Sequence, residues 1–179
     1  MPANLRKWAG ILITVICYYI VHEGSHLLVA LILGVFQRVH FMTLGVQIVI
    51  DTAGMTNTQL GVFSIVGSVA TFLAAYLLVF QRKRILGSNS KFLKAAGYYT
   101  TIGLLLIDPI YLSLLYGFFG GGDMNGILLL GISETAARLG YALLGMVNIF
   151  VLLKYVHPAY KRNFEQKEKT GLKYSQTAS

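Results

Sequence analysis

Residues Trp8 to Phe36 read WAGILITVICYYIVHEGSHLLVALILGVF. A helix needs about 20 apolar residues to cross a bilayer, so this run is long enough to span. Its interior nevertheless carries His22, Glu23 and His26, three groups that hydrocarbon disfavours. On a helix, His22 and His26 stand at i and i+4, on one face and about one turn apart. That spacing suits two imidazoles to a single Zn²⁺ and leaves Glu23 beside them as a general base for water that such an ion activates. Ionisable groups inside a span are costly and point to function by default. The competing reading is a pair of satisfied structural histidines with Glu23 as a hydrogen-bonding neighbour.

Composition agrees with a membrane protein. Of 179 residues, 55% are hydrophobic and only 12% charged, and the mean hydropathy is +0.64. An ordinary soluble domain is far less apolar. The net charge of +8 points away from nucleic acid and towards a lipid bilayer, because the basic residues cluster at the ends of apolar runs. A single cysteine, Cys17, excludes an internal disulfide framework and a cysteine-based zinc site.

The chain divides into an expected transmembrane domain over 1–157 and a polar, basic tail over 158–179, which composition predicts to be disordered or surface-lying. The expected fold is all-α, with about four transmembrane helices. The first covers about 9–34 and is too long for a signal peptide. Residues 37–57 are rich in Val, Ile and Thr and punctuated by glycine. They suit a short membrane-associated strand or hairpin, with a surface loop as the alternative. A second span, Gln59 to Phe80, carries Gly61, Ser64, Gly67, Ser68 and Ala70, small residues that let helices approach closely. The basic loop Gln81-Arg82-Lys83-Arg84 should end it. A third span starts near Phe92 and should kink or break at Asp108-Pro109. A broken or re-entrant segment follows at Gly120-Gly121-Gly122-Asp123-Met124-Asn125-Gly126, and a last span covers about 135–156. No internal repeat is visible.

A catalytic zinc takes three protein ligands and keeps a fourth position open. His40 and His157 lie near span ends without ligand spacing, so the third ligand should be a carboxylate. Asp51, Asp108, Asp123 and Glu134 lie near apolar segments. Asp123 sits in a glycine-rich break that can turn its side chain towards a helix. Asp108 lies at a break as well and is the alternative ligand, or else an acid that orients an imidazole from behind. Asn125 is placed to bond substrate or ligand, or to satisfy the turn.

These motifs resemble the site-2 protease family of intramembrane zinc metalloproteases. The likeness covers most of residues 9–133. His22-Glu23-x-x-His26 matches the family's first motif. Gly122-Asp123-Met124-Asn125-Gly126 stands where the family has a Leu-Asp-Gly-type motif, with Gly122 in place of the leucine and the glycine later. The family's Asn-Pro element is absent, and Asp108-Pro109 is only faintly similar. Ser64 to Ala70 is similar to the small-residue start of the helix between the two ligand helices, and 41–50 to the family's β element. The resemblance implies a minimal core without a PDZ domain, one Zn²⁺ per chain, and Asp123 as third ligand.

The expected activity is therefore that of a zinc metalloendopeptidase acting on a transmembrane protein or peptide, with Glu23 as general base. The 41–50 strand would hold the extended substrate by edge pairing. The alternatives are a non-proteolytic metal-binding membrane protein, such as a transporter or sensor, and a structural subunit. Charge bias places both termini in the cytoplasm. With four spans, thirteen basic residues fall on one side, against only Arg38 and Arg138 on the other. Several family members run their motif helix in the opposite direction, so the face to which the site opens stays undecided by sequence.

Overall fold

A computed structural model describes residues 1–42, 45–120 and 122–165. It contains the helices α1 (Ala3–Ile32), α2 (Asn57–Gly87), α3 (Lys91–Ile110), α4 (Tyr116–Phe119), α5 (Gly122–Leu128) and α6 (Glu134–Val151). A two-stranded antiparallel sheet, β1 (Phe36–Met42) and β2 (Gly45–Ile50), follows α1. Four helices are long and apolar enough to cross a membrane: Ala3–Ile32, Asn57–Gly87, Lys91–Phe118 and Glu134–Glu165. By length and composition the chain is a multi-pass membrane protein. Large apolar side chains such as Leu12, Ile20, Leu73, Phe80 and Leu143 stand exposed on these helices, as lipid-facing positions do.

The hairpin replaces the loop alternative over 37–57. Its register pairs Val39 with Ile48 and Met42 with Gly45, with an irregularity between Phe36 and Arg38. β2 lies against α1 and buries Ile48.

α2 starts at a capping box. The Gln59 amide donates to Thr56 Oγ1 (3.2 Å) while the Thr56 amide donates to Gln59 Oε1 (2.8 Å). Its buried face is Gly61, Ser64, Ser68, Thr71 and Ala75, small or short residues three and four apart. This stripe lets α1, α3 and α5 pack on α2. The helix does not end in the basic loop expected at 81–84 but runs on to Gly87. Cations at a helix C-terminus complement its dipole, and Arg82 additionally donates to the Val79 carbonyl (2.7 Å).

α3 likewise does not break at Asp108-Pro109. Pro109 is inside the helix, and a π-helical turn, Tyr111–Leu115, follows it. A proline at 109 leaves the carbonyl of Leu105 without its intrahelical donor. Asn148 of α6 supplies that donor through Nδ2 (2.7 Å). Asn148 is buried, and its Oδ1 accepts from Tyr76 (2.8 Å). The interruption comes later, at Gly120, whose φ of 66° ends α4.

The core has two parts. Ala75, Val79, Leu104, Leu105, Val156 and Tyr160 join α2, α3 and the end of the last helix. Leu112, Met124, Ile127 and Ala137 fasten α5 to the π turn and to α6. The final helix continues through a π turn, Leu152–Val156, and past Pro158 to residue 165. Residues 158–165 are thus helical rather than part of a disordered tail, because the helix carries Val156 and Tyr160 into the core. The rest of the expected tail, 166–179, lies outside the described residues.

Candidate metal centre

α1 supplies the two histidines. Their helical spacing brings the rings to a centroid separation of 5.0 Å. Each ring is held by packing: His22 stacks on Tyr18, one turn earlier, and His26 lies against Phe63 of α2. Gly67 closes the site from the α2 side. A Cβ added there would stand 2.5 Å from His26 Nε2 and 2.6 Å from His22 Nε2. Only glycine lets the α2 backbone pass this close.

α5 supplies the carboxylate. Gly126 rests on α2 so tightly that a Cβ would collide with Ser64 Oγ and approach the Leu60 carbonyl. This contact fixes α5 and sets Asp123, one turn earlier, over the two rings. Asp123 Oδ2 lies 3.0 Å from His22 Nε2, and Oδ1 lies 3.4 Å from His26 Nε2. One donor atom from each of the three residues falls within 4.8 Å of the others. Ligands bound at about 2.0–2.2 Å to a tetrahedral ion stand about 3.3–3.6 Å apart; the His26–Asp123 separation of 3.4 Å falls in that range, and the His22–Asp123 separation of 3.0 Å is a hydrogen-bond distance that an ion would widen by a few tenths of an ångström. Both histidines are buried, as a water-poor metal site requires.

Asp108 approaches His22 from behind. Its Oδ1 is 3.3 Å from His22 Nδ1 and accepts a hydrogen bond from Tyr18 (2.6 Å), while Oδ2 meets the Thr71 hydroxyl. At 1% exposure Asp108 is enclosed, and it has these partners because a bare buried carboxylate is very costly. The two aspartates therefore divide: Asp123 faces both Nε2 atoms, and Asp108 touches only the far nitrogen of His22. His22 Nδ1 and His26 Nδ1 are both buried, and neither has a hydrogen-bond partner among the described residues.

Glu23 points off the histidine face. Its Oε2 accepts from the Ile48 amide of β2 (3.3 Å), which holds the carboxylate at the hairpin. A cavity of about 1380 Å³ joins these groups and is lined by Glu23, the histidines, Asp123, β2 and apolar residues of α3. It exceeds the about 300–1,000 Å³ typical of small-molecule pockets.

The other candidates lie apart. Asn125 lines the cavity, but its Oδ1 accepts from Tyr116 (2.8 Å) and it does not join the His–Asp group. Asp51 accepts from the Ala53 amide in a turn, and Glu134 pairs with Arg138. His40 is exposed on β1, and His157 Nδ1 bonds the Tyr98 hydroxyl (2.8 Å). Sequence reasoning passed over Tyr18 and Thr71. Tyr18 carried a usable signal, since it precedes His22 by four residues and so shares its face. Thr71 carried none, because its role arises only where α2 meets α3.

Comparison of the chain with protein-family models, with curated proteins and with solved structures finds no match.

Proposed function

We propose that this protein is an intramembrane zinc metalloprotease with the chemistry of the site-2 protease family. The observation that carries the reading is the convergence of His22 Nε2, His26 Nε2 and the Asp123 carboxylate from two separate helices, with Glu23 on the wall of the same cavity. His22, His26 and Asp123 would hold the ion. When bound, zinc supplies Lewis acidity, which polarises a scissile carbonyl and acidifies water. Asp108, braced by Tyr18 and Thr71, stands 3.3 Å from His22 Nδ1 and would hold the ring from behind while Nε2 faces Asp123. Glu23 takes the proton from the attacking water and passes it to the leaving amine.

The cavity supports an extended peptide as substrate. The Ile48 amide donates to Glu23, and β2 lines the cavity along its length, so β2 borders the cavity beside Glu23. A substrate strand pairing there would lie along the row that holds the general base.

Elemental analysis of protein purified in detergent without chelators tests the reading. About one zinc per chain is expected in the wild type, and His22→Ala should lose it. Wild type without metal, or His22→Ala with its full complement, contradicts the proposal. Zinc present with no cleavage of any membrane peptide would instead favour a transporter or sensor.

A further inference from the structure

A second pocket, of about 300 Å³, lies at the opposite end of α1 from the sheet. Arg6 and Lys7 line it from the first turns of α1, and Lys161 from the final helix. Tyr98 and Tyr99 of α3, and His157, Tyr160 and Phe164 of the final helix, also line it. No carboxylate is among the described residues that line it. Among the described residues, the acid paired with one of these cations is Glu165, 3.9 Å from Lys161 and exposed. Arg6 Nη1 bonds the Met1 carbonyl, which leaves the remaining guanidinium donors available. The pocket thus gathers three cations and three tyrosines where the apolar spans end.

We infer that this pocket binds the phosphodiester headgroup of an anionic glycerophospholipid, with Arg6, Lys7 and Lys161 as its charge partners. The placement favours a lipid over a soluble anion. Leu5, Trp8 and Leu12 stand exposed on α1 within two turns of the pocket and provide an apolar track for acyl chains. Tyrosines at the end of spans suit the headgroup level, where one end is apolar and the other wet. The pocket also ties α1, α3 and the last helix together at one end, so an occupied pocket clamps three spans that the metal centre does not link there.

Trp8 is the only tryptophan and adjoins Lys7, whose Nζ lies 5.8 Å from its ring, so its fluorescence reports binding. The full chain in nonionic detergent is titrated with dihexanoylphosphatidylglycerol, dihexanoylphosphatidylcholine and inorganic phosphate. The anionic lipid should saturate at a concentration at least about tenfold below the zwitterionic one, with no saturable response to phosphate in that range. A basic residue near an anionic surface contributes about fivefold in affinity, so Arg6→Gln with Lys161→Gln should weaken binding about 25-fold and Lys161→Gln alone about fivefold. Arg82→Gln with Lys83→Gln, the same charge change away from the pocket, should leave affinity within about twofold. Helical circular dichroism checks that each variant is folded, and the single variant serves if the double one is not. Equal binding of the two lipids, phosphate binding as tight as the anionic lipid, unchanged affinity in the pocket variants, or an equal loss in the control pair overturns the inference.

Discussion

Gly67 and Gly24 make a paired test of the metal centre. Ordinary van der Waals contact for a Cβ begins at 3.4 Å, and the Cβ of Gly67→Ala would stand 2.5 and 2.6 Å from the two Nε2 atoms. Both rings must then retreat by about 0.9 Å, or α2 must move by as much. Metal–ligand distances tolerate about 0.2 Å, so coordination by both histidines cannot survive such a shift. We expect zinc affinity at least about 100-fold lower, beyond what most outer-shell changes cost. Overpacking should also destabilise the fold by about 1–3 kcal/mol. Gly24 lies between the same histidines, yet a Cβ there meets nothing within 4 Å. Gly24→Ala should therefore keep zinc and gain about 0.5–1 kcal/mol from the helix-interior replacement. Competition with a chromophoric chelator measures affinity, and thermal unfolding in detergent measures stability. Gly67→Ala with wild-type zinc affinity would refute the close approach of α2 on which the site geometry rests.

Asp123→Ala should abolish zinc binding, whereas Asp108→Ala should cost about 10–100-fold in affinity; the reverse order in the same chelator competition would make Asp108 the ligand. Asn148→Leu strips the Leu105 carbonyl of its donor and should lower stability by about 1–3 kcal/mol. In a Pro109→Ala background that loss should shrink, because the backbone regains its own donor, and an undiminished loss in thermal unfolding would sink the explanation. The charge bias of the sequence predicts that both termini lie in the cytoplasm. Cysteine labelling in a Cys17→Ser background checks this, and labelling at Tyr174 from outside would reverse the orientation.

The spans and the His22–Glu23–His26 face were legible because hydrophobic runs and i, i+4 spacing are local. The interruption near Asp123 was legible too, since glycines mark where a helix cannot continue. The continuity of α3 through Pro109 was not, because the missing donor there is replaced by Asn148, 39 residues later in the chain. The choice between Asp123 and Asp108 needed tertiary structure as well. Both lie beside helix-breaking residues, and only the seat of Gly126 on Ser64 decides which carboxylate faces the Nε2 atoms. The end of the final helix beyond Pro158 reads as polar, and its burial of Tyr160 depends on partners in α2 and α3.

Glu23→Gln tests the central claim most directly, because it separates holding a metal from cleaving a peptide. The substitution keeps the size of the side chain and an oxygen able to accept from the Ile48 amide, but it cannot take a proton. Zinc content and cleavage of a membrane peptide are measured on one preparation. The account expects zinc as in the wild type and a cleavage rate lower by at least about 100-fold. A variant that keeps both zinc and full cleavage would contradict it, since another group would then be the base; a variant that loses its zinc would make Glu23 a ligand or a support rather than the base.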